Sequence, residues 1–130
     1  MIDHVSLQVR DLAASAAFYT AALAPLGYRP LVRRDTQIGF GKRYPEVWLN
    51  GRPDAPPVPG DTGAHLCLRA RDEAAVTAFH AAALENGGAD DGAPGPRPAA
   101  YTSYFGAFVR DPDGNRLEAA CFPPSPERAP

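Results

Sequence analysis

Residues 4–11, HVSLQVRD, return 61 positions later as residues 65–72, HLCLRARD. Both copies begin on histidine, alternate apolar with polar side chains, and end on aspartate. In the first, Val5, Leu7 and Val9 share one side of an extended chain and His4, Ser6 and Gln8 the other. In the second, Leu66, Leu68 and Ala70 oppose His65, Cys67 and Arg69. A period of two marks a strand with one buried face. The likeness runs without a gap from residues 2–27 onto 63–88, with 12 of 26 positions identical. Alanine matches come cheaply in an alanine-rich chain, so His4 with His65, Asp11 with Asp72, Phe18 with Phe79 and Gly27 with Gly88 carry the weight. Self-similarity at this spacing marks a duplicated supersecondary unit.

The two copies share the segment after the strand as well. Asp11 and Asp72 stand where a side-chain oxygen accepts from the first free N–H groups of a helix. Alanine-rich segments with Phe18, Leu23, Phe79 and Leu84 at helical spacing come next, stopped by Pro25-Leu26-Gly27 and by Asn86-Gly87-Gly88. Short strands are expected at 28–33, 36–41 and 46–50 in the first half. In the second half they are expected near Ala89, at 103–110 and at 116–122, with a proline–glycine loop at 93–98. Asp111-Pro112-Asp113-Gly114-Asn115 reads as a hairpin turn. It lacks the oxygen-ligand spacing and closing glutamate of a calcium loop. The fold class is therefore α+β: two tandem βαβββ modules forming a curved mixed sheet around a cleft, in a single domain. Module one is 1–51, the linker 52–62, module two 63–122, and 123–130 is a proline-rich tail.

Composition narrows the partners. Thirteen Lys and Arg against 15 Asp and Glu leave a net charge of -2, with no basic field to draw nucleic acid or an anionic membrane. No apolar run reaches the roughly 20 residues that span a bilayer, and no secretory signal opens the chain, so a cytoplasmic location is expected. Cys67 and Cys121, the two cysteines, form no CxxC pair and read as free, largely buried thiols. No GxSxG, Walker A or GxGxxG motif is present.

One helix covers one face of a module's sheet. The other face, carrying His4 and His65 with small or polar neighbours, suits a concave, partly wet surface. Strand 116–120 puts Glu118 opposite Leu117 and Ala119, and its first-half counterpart puts Trp48 at the matching place. A lone strand histidine is more often a hydrogen-bonded structural residue than a ligand; duplication shifts that weighting. If the open faces wrap one cavity, His4, His65 and Glu118 converge, and two imidazoles with one carboxylate suit Fe, Mn, Zn, Ni or Co, with positions left for water and substrate. His80 is read as structural.

DHVSLQVRDLAASAAFY at the start, GAHLCLRARD in the middle and FVRDPDGNRLEAA near the end resemble the vicinal oxygen chelate superfamily of glyoxalases, bleomycin-resistance proteins and extradiol dioxygenases. The resemblance implies paired βαβββ modules around one divalent metal ion per site, with ligand positions at His4, Trp48, His65 and Glu118. Trp48 departs from the pattern, since indole cannot supply the fourth ligand of glyoxalase-like and epimerase-like members. Two functions are implied as expectations. One is a metal-dependent enzyme chelating a small oxygen-bearing substrate through His4, His65 and Glu118, dioxygenase-like or lyase/transferase-like. The other is a metal-free drug-binding protein of the bleomycin-resistance type, with Trp48, Tyr101 and Tyr104 as stacking or hydrogen-bonding surfaces. The resemblance also implies a homodimer in which a shared site takes His4 from one subunit and His65 with Glu118 from the other.

Overall fold

Alternation in the two repeated stretches becomes strands β1 (Val5–Val9) and β5 (Leu66–Arg69), each leading into a helix, α1 (Leu12–Leu23) and α2 (Glu73–Glu85). The computed structural model describes residues 1–123. The expected tail at 123–130 thus lies, apart from Pro123, outside the described residues. Both helices start as the sequence indicates. Asp11 Oδ1 accepts from Ala14 N at 3.0 Å and Asp72 Oδ1 from Ala75 N at 2.8 Å, each satisfying one N–H that has no partner inside the helix. α1 tightens into a 3-10 turn, Ala24–Leu26, and stops at Gly27 with φ 87°, a left-handed conformation that favours glycine.

Three further strands complete each module: β2 (Arg29–Arg33), β3 (Gln37–Gly41) and β4 (Pro45–Gly51), then β6 (Ala89–Arg97), β7 (Tyr104–Arg110) and β8 (Arg116–Cys121). They form two four-stranded mixed sheets, ordered β1-β4-β3-β2 and β5-β8-β7-β6. β1 pairs parallel with β4 and β5 parallel with β8. The duplication is visible in the register: Ser6 lies opposite Trp48 and Cys67 opposite Glu118. Since Ser6 and Cys67 are repeat mates, Trp48 and Glu118 occupy equivalent places.

Three sequence expectations change. Residues 93–97 are not a loop, because β6 runs through them with bulges between Asp90 and Gly92 and between Gly92 and Gly95. β6 is an outer strand, so its proline positions need no donor on the unpaired side. Cys67 is exposed and Cys121 half-buried, not largely buried: Cys67 lies on the open face, and Cys121 sits at the strand end. Leu84 is 42% exposed although its repeat mate Leu23 is fully buried; α2 buries Ala75, Val76, Phe79 and Ala83, whereas α1 also buries Ala16, Tyr19 and Leu23 but not Ala14, so the two helices meet the core at slightly different rotations.

α1 and α2 pack on each other, and one apolar core unites Phe18, Leu23 and Phe40 of module one with Val76, Phe79 and Leu117 of module two. Each large side chain taken from water contributes about 1.5–3 kcal/mol. A polar tie crosses the same boundary. The buried Asp111 in the β7–β8 turn accepts from Tyr19 Oη of α1 at 2.6 Å. The next residues of the turn reach β1 and its exit: Asp113 Oδ1 accepts from Arg10 N at 3.0 Å, and Asn115 Nδ2 donates to Gln8 O at 2.9 Å. The turn that reverses module two therefore docks it onto module one. No helix among the described residues is long and apolar enough to cross a membrane.

Candidate metal and substrate site

Leu66 and Leu68 of β5, Leu117 and Ala119 of β8, and Ala107 and Val109 of β7 all join the core. Their alternates, Cys67, Arg69, Glu118, Gly106 and Phe108, therefore share the open face of module two, and His65 leads in from just before β5. Glu118 is only 4% exposed there. Its Oε1 lies 3.0 Å from His65 Nε2, and its Oε2 accepts from Tyr104 Oη at 2.6 Å. Burial of a carboxylate is sustained only when its oxygens are satisfied, and both are.

Tyr104 reaches Glu118 diagonally, across Gly106. A Cβ on Gly106 would stand 2.8 Å from Tyr104 Cε2 and 3.3 Å from Glu118 Oε2, so the bare backbone leaves the ring its path. Burial, then the hydrogen bond and charge of Glu118, push the Tyr104 phenol up to about 12. The Cys67 thiol, opposite Glu118 in the ladder, is likewise pushed up to about 12, by partial loss of water around it on the crowded open face first and by Glu118 next. Both groups are thus neutral donors at physiological pH. Phe122 stacks on Tyr104 with ring centroids 5.0 Å apart, and Phe108 lies 5.9 Å from the His65 ring.

Of the residues expected from sequence, His65, Glu118 and Tyr104 come together. His4 does not join them within one chain. Its Nδ1 lies 2.7 Å from Asp3 Oδ1, its side chain is 52% exposed, and it lines a cavity of 270 Å³ between Tyr28 and Glu46 of module one and Leu66 and Cys67 of module two. Among the described residues no group of three metal-ligating side chains forms in the chain. Trp48 lies on the open face of module one with the Arg34 guanidinium 5.5 Å from its ring. Tyr101 is fully exposed. His80 pairs with Asp90 at 2.8 Å, which is a structural role. Sequence reasoning missed Cys67 and Gly106 as neighbours of Glu118 and Phe122 as the stacking partner of Tyr104. Cys67 was legible as the position two after His65; Gly106 and Phe122 depended on the β7–β8 register.

The donor set can be tested against a metal ion. His65 and Glu118 would supply such an ion with one imidazole nitrogen and one carboxylate oxygen, with Tyr104 holding the outer carboxylate oxygen in the manner of an orienting partner.

Residues 1–119 match the model of the Glyoxalase/Bleomycin resistance protein/Dioxygenase superfamily. The chain belongs to that superfamily. A solved glyoxalase/bleomycin resistance protein from Albidiferax ferrireducens T118 is 31% identical, covers 92% of this chain and 98% of its own, and superposes with a TM-score of 0.83. A glyoxalase-related enzyme from Fulvimarina pelagi shares the fold at 22% identity, with 95% and 88% covered and a TM-score of 0.73. A glyoxalase I mutant from Zea mays, at 24% identity and a TM-score of 0.70, aligns with 91% of this chain over 44% of its own. Among curated proteins none matches this chain. For this superfamily member the duplicated βαβββ modules agree with the expected architecture.

Proposed function

We propose that this superfamily member is a divalent-metal enzyme acting on a small oxygen-bearing substrate, at a site built from His65 and Glu118 of one copy and His4 of a second. The observation that carries the reading is the buried Glu118 carboxylate held 3.0 Å from His65 Nε2. Its second oxygen is fixed by Tyr104. A bound divalent ion would supply Lewis-acid stabilisation of charge developing on the substrate oxygens. The chain's own residues do the rest. Tyr104 keeps Glu118 in one orientation, Trp48 and Phe108 wall the face, and the neutral Cys67 thiol adds no competing charge.

Sharing between copies is supported by the isolation of His4 from the other two candidates within one chain. Such a dimer completes a three-ligand site and leaves open positions for substrate, and Trp48 takes the place where a fourth ligand would stand.

Metal stoichiometry of the full chain tests both parts. Wild type should hold one ion per site, and His4→Ala, His65→Ala or Glu118→Gln should each abolish it. Mixing His4→Ala chains with His65→Ala chains should restore one of the two sites per dimer, because one interface then has all three ligands intact. No recovery on mixing would overturn the shared site. Substoichiometric metal in metal-replete wild type, with ligand binding indifferent to His65→Ala, would instead favour the metal-free drug-binding reading with Trp48 as a stacking surface.

A further inference from the structure

The open face of module two carries more positive charge than its own carboxylates use. At one end of the face the arginines are committed: Arg110 pairs with Asp91 at 3.5 Å, and Arg116 with Asp61 at 3.5 Å and Asp91 at 3.6 Å. Around Glu118 the pattern reverses. Among the described residues, neither Arg69 nor Arg97 lies within 4.0 Å of a carboxylate oxygen. Each is laid on an aromatic ring instead, Arg69 4.4 Å from the centre of Phe122 and Arg97 5.7 Å from that of Phe108. Arg97 is further fixed by donating to the carbonyls of Ala93 and Pro96.

Position follows from the ladders. Arg69 stands opposite Ala120, which stands opposite Gly106, which stands opposite Gly95. That row of small residues crosses the sheet between the Glu118 row and the row of Tyr104 and Arg97. The two guanidinium groups therefore approach the Tyr104–Glu118 pair from the two outer strands, β5 and β6. Glu118 does not neutralise them, because its oxygens are directed to His65 and Tyr104. On the open face of module one, Arg34 lies over Trp48 in the same manner.

A guanidinium stacked on a ring presents the edge of its planar donor set, which matches the oxygens of an oxyanion; Arg97 spends one N–H of each terminal nitrogen on its own strand and offers the remaining N–H groups. Held in place beforehand, it loses little freedom on binding. We propose that the cleft selects anionic substrates, with Arg69 and Arg97 reading a carboxylate or phosphate-type oxyanion while the substrate's other oxygens face Glu118 and His65. This assignment rests on the function proposed above for the same cleft and adds the substrate's charge class.

Isothermal titration of the full chain with benzoate, benzamide and phenylphosphonate tests it. Benzoate and benzamide share shape and differ in charge, and the phosphonate separates a planar from a tetrahedral oxyanion. The experiment uses chelator-treated protein, so the result does not depend on metal. Wild type should bind one of the two anions at least about tenfold tighter than benzamide, the value of a charge-assisted hydrogen bond. Arg69→Gln and Arg97→Gln should each shrink that ratio several-fold, and Arg43→Gln, on an exposed loop of module one, should leave it unchanged. Equal binding of anions and benzamide by wild type, or ratios unaffected by both cleft substitutions, would overturn the proposal. Retained discrimination in a protein that binds no metal would sink the metal-enzyme reading and leave this one standing.

Discussion

Tyr19→Phe isolates the polar tie between the modules. Tyr19 is fully buried, with its ring edge-on to Phe18 at 4.9 Å and 6.1 Å from Phe40. Phenylalanine keeps those contacts and removes only the hydroxyl. The substitution deletes a 2.6 Å bond to the Asp111 carboxylate. Asp111 keeps three donors, the backbone N–H groups of Asp113 and Asn115 and the side-chain amide of Asn115, so no acceptor is stranded. A hydrogen bond to a charged group contributes about 1.5–3 kcal/mol. At about 3–5 °C per kcal/mol for a chain of this size, Tyr19→Phe should lower the melting temperature by roughly 5–15 °C, measured by circular dichroism and confirmed by urea unfolding. Asp111→Ala should cost more, because it strands a buried hydroxyl and two turn N–H groups. A Tyr19→Phe loss below about 0.5 kcal/mol would refute the idea that this contact holds the modules together.

Other outcomes rest on the same geometry. Burial raises the Asp111 carboxyl above its ordinary value. Its titration therefore favours folding most below the usual carboxylate pKa of about 3.9, and that contribution fades as pH rises through the folded-state value; the stability difference between wild type and Asp111→Asn should vary with pH in that direction, and a flat difference counts against it. Gly106→Ala should cost about 1–3 kcal/mol by forcing Tyr104 off its path over the backbone; unchanged stability together with an unmoved Tyr104 in a crystal structure would contradict the close approach. Cys67, with its thiol near 12, should react with iodoacetamide at pH 8 roughly thirtyfold more slowly than an ordinary cysteine, once lower thiolate content is set against higher nucleophilicity, and Glu118→Gln should speed it; mass spectrometry gives the rates, and a free-cysteine rate in wild type refutes the account. Asp72→Ala should remove the α2 cap and about 1 kcal/mol of stability, read by urea unfolding.

Much of this was legible from local patterns. The period of two in HVSLQVRD and HLCLRARD sets which residues face the core, because successive side chains of an extended chain must alternate. Asp11 and Asp72 cap their helices through contacts three residues away. The equivalence of Trp48 with Glu118 comes from the repeat, since duplicated strands inherit their register. β6 escaped because its prolines and glycines signal a loop in any isolated window, and only its place at the edge of a sheet lets them stay in a strand.

The sequence by itself determined two βαβββ units, their caps and turns, and the equivalence of Trp48 with Glu118. Each of these rests on interactions within a few residues or on a symmetry written into the chain. Tertiary structure decided the rest: that Asp111 of one module is buried against Tyr19 of the other, that Tyr104 crosses Gly106 to hold Glu118, and that His4 stands apart from His65 and Glu118 within one chain. Those outcomes depend on register between strands and on how two sheets dock. The free energy of many simultaneous contacts sets them, and no short stretch of sequence carries it.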